Sequence, residues 1–350
     1  MTLSDTRPLE TRPLDTRPLG RSGLSISCLG LGGAPLGDLY ERIPEERALA
    51  TLETAYAHGI RLFDTAPLYG YGLSEHRFGH VLRRKPRQSY VLSTKVGRYL
   101  VPTEPAKIDR GQWTGGLNMQ PRYDYSYDGT MRALEQSLQR LGIERIDIAL
   151  IHDVDVWTHG TEENFEQRFR EAKAGAIRAL SELRAAGTVK AIGIGVNEIR
   201  PSRRFVTETD IDVVMLAGRY TLLEQEPLDE LLPLLQRKGV GILLAGPFNS
   251  GILASGPGPG AKYNYRPAPP EILSKVQRIE AVCQRHAVPL AAAAIQFPLG
   301  HPVVAAIVPG AVRPEEVKSN IALMATKIPG DLWAELKHEG LLRADAPVPE

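Results

Sequence analysis

Cysteine is nearly absent: Cys28 and Cys283 are the whole supply in 350 residues. Two thiols build neither a disulfide framework nor a cysteine-based zinc site. Net charge is lacking too, with 42 basic residues against 41 acidic ones and a formal charge of +1. That balance gives no electrostatic case for nucleic acid or an anionic membrane as partner. No apolar stretch reaches the roughly 18–20 residues a bilayer span needs. The N-terminal stretch has no apolar central segment, so no secretory signal is expected. These absences leave a cytoplasmic protein with a small-molecule partner as the default.

What is present begins with a repeat. "TRPLETRPLDTRPLG" holds three TRPL units at a period of five. Proline at every fifth position forbids a regular helix or strand, and the composition buries too little to offset ordering entropy. Residues 1–16 are therefore expected to be a disordered tail, and residues 17–350 one folded domain. With 43% hydrophobic and 24% charged residues, that domain has an ordinary globular balance. Its length suits one large α/β barrel or two ordinary domains.

"LGRSGLSISCLGLGGAPLG" reads as a short hairpin turning at Arg21, Ser22 and Gly23, then a first strand near 28–33. From there strand and helix alternate. Strands are expected in "IRLFDTA", "SYVLSTKVG", "IDIALIH", "VKAIGIGVN", "IDVVMLAGRY", "VGILLAGPFNSG" and "VVAAIVPGA". Helical spacing follows each, from "PEERALATLETAYAHG" to "PEEVKSNIALM", with Ser74 as a candidate cap of the second helix. The strands are continuous apolar runs, as a parallel sheet buried on both faces requires. Eight such units predict a (β/α)8 TIM barrel with an N-terminal β-hairpin and long loops at its C-terminal face. The doubly wound dinucleotide fold is the rival, but "GLGGAP" breaks the G-x-G-x-x-G pattern at Pro35.

Two segments exceed the repeat, residues 99–126 after the third strand and 252–270 after the seventh. Both leave strand ends on the face where barrel enzymes keep their sites, and long aromatic-bearing loops there serve as lids or substrate walls. Trp113 in the first is a candidate substrate contact. On the barrel layout four polar groups gather at neighbouring strand ends: Asp64, Tyr69, Lys95 and His152. Each alone has a structural explanation, but four at adjacent ends make coincidence a poor one. Metal-dependent hydrolysis would want several histidines and carboxylates there, and only His152 is so placed. No metal is expected.

These residues resemble the Asp-Tyr-Lys-His tetrad of the aldo-keto reductase superfamily. "LFDTAPLYGYGLSEHRFG", "VLSTKVGR" and "IDIALIHDVD" carry the likeness, which runs over about residues 17–325. "YDYSYDG", "MLAGRYTLLEQ" and "FNSGIL" are similar to the bacterial L-fucose or D-threo-aldose 1-dehydrogenase branch, and pyridoxal 4-dehydrogenases of this family share much of the same text. The resemblance implies an NAD(P)-dependent oxidoreductase oxidising the anomeric carbon of an aldose. Tyr69 would be general acid/base, Lys95 would lower its pKa, Asp64 would hold Lys95, and His152 would orient the substrate oxygen. Oxidation of pyridoxal, general aldehyde or ketone reduction, and a cofactor-binding regulatory subunit are the alternatives; an intact tetrad speaks against the last.

The family pattern also implies that Phe248, Asn249, Ser250 and Gly251 cradle the pyrophosphate, and that Gly310 and Asn320 lie along the adenosine. Tyr220 would stack on the nicotinamide, and Asn197 would take the carboxamide. NADPH-preferring members carry Lys, Ser and Arg where this chain has Gly310, Ala311 and Glu316. A carboxylate facing a 2′-phosphate is repulsive, so NAD is the expected cofactor, with NADP open through Arg313. Asp153, Asp155 and Trp157 follow His152; they suit a polyhydroxy ligand or, equally, a cap for the next loop.

Overall fold

A computed structural model describes residues 14–349. Two short strands, β1 (Thr16–Pro18) and β2 (Ser25–Ser27), pair antiparallel ahead of the barrel. The barrel strands are β3 (Gly30–Gly32), β4 (Leu62–Asp64), β5 (Val91–Val96), β8 (Ile148–His152), β9 (Ala191–Val196), β10 (Val213–Ala217), β11 (Gly241–Ala245) and β14 (Val304–Val308). They form one eight-stranded sheet in chain order, every pair parallel. Parallel bridges Leu29 to Ile307 and Gly32 to Gly310 join its two edges, so the expected eightfold barrel is the fold observed.

The barrel interior is filled rather than hollow. Leu62, Ile148, Leu150, Val213, Met215 and Leu243 form a buried cluster with Leu19 and Ile26 of the hairpin. The hairpin thus plugs the N-terminal end. Its turn fits closely: a Cβ on Gly20 would lie 2.4 Å from the Gly241 amide nitrogen, and Arg17 donates to the carbonyls of Leu299 (2.8 Å) and Val304 (3.0 Å). The expected tail is divided. Residues 1–13 lie outside the described residues, whereas 14–16 belong to the fold: Asp15 O accepts from the Cys28 amide at 2.8 Å, and Thr16 opens β1. Proline did not forbid this strand, because Pro18 falls at its last position in a two-stranded edge, where a missing N–H is tolerated.

Helices α1 (Glu45–Ala57), α2 (Leu73–Leu82) and α3 (Tyr127–Leu141) follow the first three barrel strands. After β8 come α4 (Val156–His159), α5 (Glu162–Ala174) and α6 (Ala176–Ala185). The rest are α7 (Ile199–Glu208), α8 (Leu231–Lys238), α9 (Ile252–Ser255), α10 (Pro270–Arg285), α11 (Leu290–Gln296), α12 (Pro314–Ala325) and α13 (Gly330–His338). Helix α5 was not legible because its apolar stripe is thin: Phe165, Phe169 and Ala172 are its buried residues in a charged stretch. Ser74 is not the cap of α2. It sits inside the first turn, where its Oγ donates to Gly33 O (2.8 Å) and meets Thr65 Oγ1 (2.9 Å).

Both expected insertions carry hairpins. In the first, β6 (Arg98–Pro102) pairs antiparallel with β7 (Met119–Tyr123). In the second, β12 (Lys262–Tyr263) pairs with β13 (Arg266–Pro267). The linking residues Asn264 and Tyr265 both have left-handed backbones, φ 49° and 63°. Such a pair makes the tight turn that suits hairpin twist.

Candidate active site

The C-terminal strand ends bring the four expected residues together. Asp64 closes β4, Lys95 sits one residue before the end of β5, and His152 closes β8. Lys95 Nζ donates to Asp64 Oδ2 at 2.6 Å and to Thr65 O at 2.9 Å, with both side chains almost fully buried. Tyr69 stands over this pair, its ring centroid 4.9 Å from Lys95 Nζ. The His152 ring meets it edge-on at 5.9 Å and 83°. Gly195, paired with His152 across β8 and β9, gives the cluster room: a Cβ there would lie 3.3 Å from Lys95 Cε and 3.9 Å from His152 Cδ2.

The turn that carries Tyr69 is clamped by glycines. Gly70 has φ 61°, and a Cβ on it would lie 2.4 Å from Gly37 O. A Cβ on Gly116 would lie 2.5 Å from Gly70 O. The segments after β3 and β6 therefore press on the turn from two sides. Their backbones come closer than any side chain would permit.

Burial pushes the Tyr69 phenol well above its ordinary pKa, with the Asp64 and Asp153 carboxylates adding to the rise and Arg98 opposing it. Lys95 spends its hydrogen bonds on Asp64 and Thr65 while its charge lies under the Tyr69 ring. His152 is driven well below its usual range by burial and by the Arg98 and Lys95 charges, so its imidazole is neutral. Burial raises Asp64, with Lys95 opposing. A neutral imidazole and a protonated phenol with adjacent rings are two hydrogen-bond donors suited to a substrate oxygen.

Arg98 was missed by sequence reasoning. It is 3% exposed, donates to Asp153 Oδ2 at 2.8 Å and Tyr123 Oη at 3.2 Å, and lies 4.5 Å from the Tyr123 ring centroid. The signal was local: Gly97, φ 92°, turns the chain directly after the lysine strand. Tyr125 was missed too; fully buried, it donates to His152 O at 2.9 Å. Tyr265 at the tip of the second hairpin also escaped notice. That hairpin is tied across the mouth by Arg219 to Asn264 Oδ1 (2.8 Å), by the Tyr265 amide to Ser250 Oγ (3.0 Å), and by Lys262 over the Tyr40 ring (4.4 Å).

The other expected residues divide. Trp113 is buried against Tyr69, with ring centroids 5.7 Å apart. Asp153 lies beside His152, Oδ2 to Nε2 3.5 Å. Trp157 is 47% exposed, with Arg219 5.9 Å from its ring. Asp155 is a cap and not a substrate contact: fully buried, it accepts from the amides of Thr158 (2.9 Å) and Asn197 (3.2 Å). Tyr220 is the clear correction. It is 0% exposed and packs on Phe297 and His301, so no ring face is open for stacking. Arg219 is the partly exposed residue there, donating to Asn197 O at 2.8 Å.

The loops after β11 and β14 fit an anionic nucleotide. Asn249 and Ser250 are consecutive left-handed residues, φ 46° and 62°, followed by Gly251 at φ 100°. Asn249 donates to Gly218 O at 3.1 Å, yet its Oδ1 is buried with no partner among the described residues. Phe248 is partly buried beside them. Gly310 is exposed just past the end of β14, and Arg313 stands immediately before α12, with Asn320 buried two turns on. Glu316 accepts from the Val312 amide (2.8 Å) and holds Arg313 Nε at 3.0 Å.

Three comparisons bear on this constellation. The aldo/keto reductase family model matches residues 28–338. A pyridoxal 4-dehydrogenase of Microbacterium luteolum is 45% identical over 331 residues, covering 92% of this chain and 96% of that protein. A D-threo-aldose 1-dehydrogenase of a Pseudomonas species is 41% identical over 326 residues, again 92% and 96%. Among solved structures, the holo form of an aldo-keto reductase from Bacillus halodurans superposes with a TM-score of 0.71 at 27% identity, over 96% of this chain and 98% of that one.

Proposed function

Because this chain belongs to the aldo/keto reductase family of oxidoreductases, we propose that it oxidises the hemiacetal carbon of a cyclic aldose to a lactone, using NAD in preference to NADP. The observation that carries this reading is the convergence of Tyr69, His152 and the Lys95–Asp64 pair at one mouth. Two relatives named for oxidising sugar and pyridoxal support an oxidative direction. The greater identity to the pyridoxal enzyme favours pyridoxal, also a cyclic hemiacetal former, as the second substrate to test.

In the oxidation, the neutral His152 imidazole donates a hydrogen bond to the substrate hydroxyl and fixes it against Tyr69. Acting as the phenolate, Tyr69 takes the hydroxyl proton as the carbonyl forms, and in the reverse direction the phenol returns it. Lys95, pinned by Asp64 and Thr65 O, places a fixed positive charge under the ring and favours the phenolate when it arises. Bound nicotinamide supplies the hydride acceptor. Phe248, Asn249, Ser250 and Gly251 would hold its pyrophosphate, with Gly310, Arg313 and Asn320 beside the adenosine and Asn197 near the carboxamide. NAD preference rests on Glu316, which occupies Arg313 and sets a carboxylate at the first turn of α12.

The test is NAD reduction across a panel of L-fucose, D-arabinose, other aldoses and pyridoxal. Tyr69→Phe is expected to lose about 10²–10⁴-fold in kcat with NAD binding retained. Full activity in that variant would refute the mechanism.

A further inference from the structure

The Arg98–Asp153 pair carries no proton in the transfer just described, though its charges act on Tyr69 and it is built into the same wall. Asp153 is held unusually firmly for a loop residue. Its backbone is left-handed, φ 54°, which a non-glycine residue adopts at a cost. Its amide donates to Gly195 O at 2.8 Å, and its carbonyl accepts from Tyr125 Oη at 3.3 Å. Its Oδ2 accepts from Arg98 Nη2 at 2.8 Å and lies 3.5 Å from His152 Nε2. All the observed polar contacts of the carboxylate fall on Oδ2. Oδ1 accepts nothing among the described residues, and the side chain keeps a small exposed fraction of 12%.

We propose that Arg98 fixes the Asp153 carboxylate beside His152 as the acceptor for a hydroxyl on the carbon next to the one oxidised, so that the enzyme selects aldoses bearing a C2 hydroxyl. The inference rests on the hemiacetal-oxidising reading above and names what that site recognises. The geometry follows from donor and acceptor placement. His152 Nε2 is a donor to the reacting oxygen, and the Asp153 carboxylate is an acceptor alongside it. The two oxygens of a gauche vicinal diol are spaced to match such a neighbouring donor–acceptor pair.

Arg98 is a positioning residue in this scheme. A guanidinium does not release its proton, so it favours the charged form of Asp153 against burial. It also occupies Oδ2 and leaves Oδ1 for substrate. A purely structural role for the pair, tying β6 to the loop after β8, would not make activity depend on one substrate hydroxyl.

The test compares kcat/KM for an aldose and its 2-deoxy counterpart in the wild type, Asp153→Asn, Arg98→Met and Arg98→Lys. Asparagine suits the left-handed backbone, so Asp153→Asn tests the carboxylate without straining the loop. The wild type is expected to favour the hydroxylated sugar by about 10–100-fold, the range of a charge-assisted hydrogen bond. Asp153→Asn and Arg98→Met are expected to shrink that ratio about tenfold or more, with KM for the hydroxylated sugar rising more than kcat falls, and Arg98→Lys to restore part of it. Should Arg98→Met not fold, Asp153→Asn carries the test alone. An unchanged ratio in Asp153→Asn, or a wild type that oxidises both sugars equally, overturns this inference and leaves the dehydrogenase standing. A wild type that turns over no aldose or pyridoxal yet reduces hydroxyl-free aldehydes overturns both.

Discussion

Lys95→Met isolates the buried pair at the centre of the site. Methionine fills much of the lysine stem's volume but removes the ammonium that bonds Asp64 Oδ2 at 2.6 Å and Thr65 O at 2.9 Å. Asp64 Oδ1 already lacks a partner among the described residues, so the variant leaves a buried carboxylate without its charged partner. Breaking a buried pair from one side costs about 3–5 kcal/mol. The cost depends on pH with a definite sign. Burial raises the Asp64 pKa and Lys95 opposes that rise; without Lys95 the folded-state value climbs further above the unfolded one. The folded variant then binds a proton the unfolded chain has released, and its stability falls as pH increases through that window. The deficit against wild type should therefore grow as pH rises above the ordinary carboxylate range and shrink as pH falls toward it. Urea midpoints at matched protein concentration measure it, after a check of reversibility. The double variant Asp64→Asn with Lys95→Met should recover part of the loss, because the orphaned charge is gone. A deficit under about 1 kcal/mol, or one flat from pH 5 to 8, would refute the account of the pair as buried and mutually compensating.

Other outcomes follow from the same contacts. Gly70→Ala places a Cβ 2.4 Å from Gly37 O at a positive φ. It should lower kcat more than about tenfold through displacement of Tyr69, and wild-type kinetics would show the clamp to be dispensable. Glu316→Gln keeps an acceptor for the Val312 amide while releasing Arg313. The ratio of NAD to NADP efficiency should narrow by about tenfold; a ratio that does not move removes Glu316 from the selectivity argument. Arg77 is buried, donating to Asp38 (2.8 Å), Glu45 (2.8 Å), Leu36 O (2.8 Å) and Ile43 O (2.9 Å). Arg77→Ala should destabilise by about 3–5 kcal/mol in the same urea assay, and a cost near zero would contradict its role as the tie between α2 and the segment after β3.

Local pattern was enough for the barrel because each strand is a short apolar run bounded by its own helix signals. For the same reason the strand-end residues Asp64, Lys95 and His152 were legible: the C-terminal ends of neighbouring parallel strands lie together at the mouth of a barrel. The failures share a cause. Tyr220 sits where a loop leaves its strand, and only packing against Phe297 and His301 settled that its ring turns to the core. Asp155 and Asp153 are two residues apart with the same side chain, yet one caps a helix and the other pairs with Arg98.

The eightfold alternation and the gathering of Asp64, Tyr69, Lys95 and His152 at one end of the barrel follow from local pattern and chain order. Tertiary structure alone decided which charge acts on which group. Coulomb interactions fall with distance and strengthen with burial, and neither quantity is written along the chain. That is why Arg98, one glycine beyond the lysine strand, emerged only in the fold as a second charge near Tyr69 and the partner of Asp153.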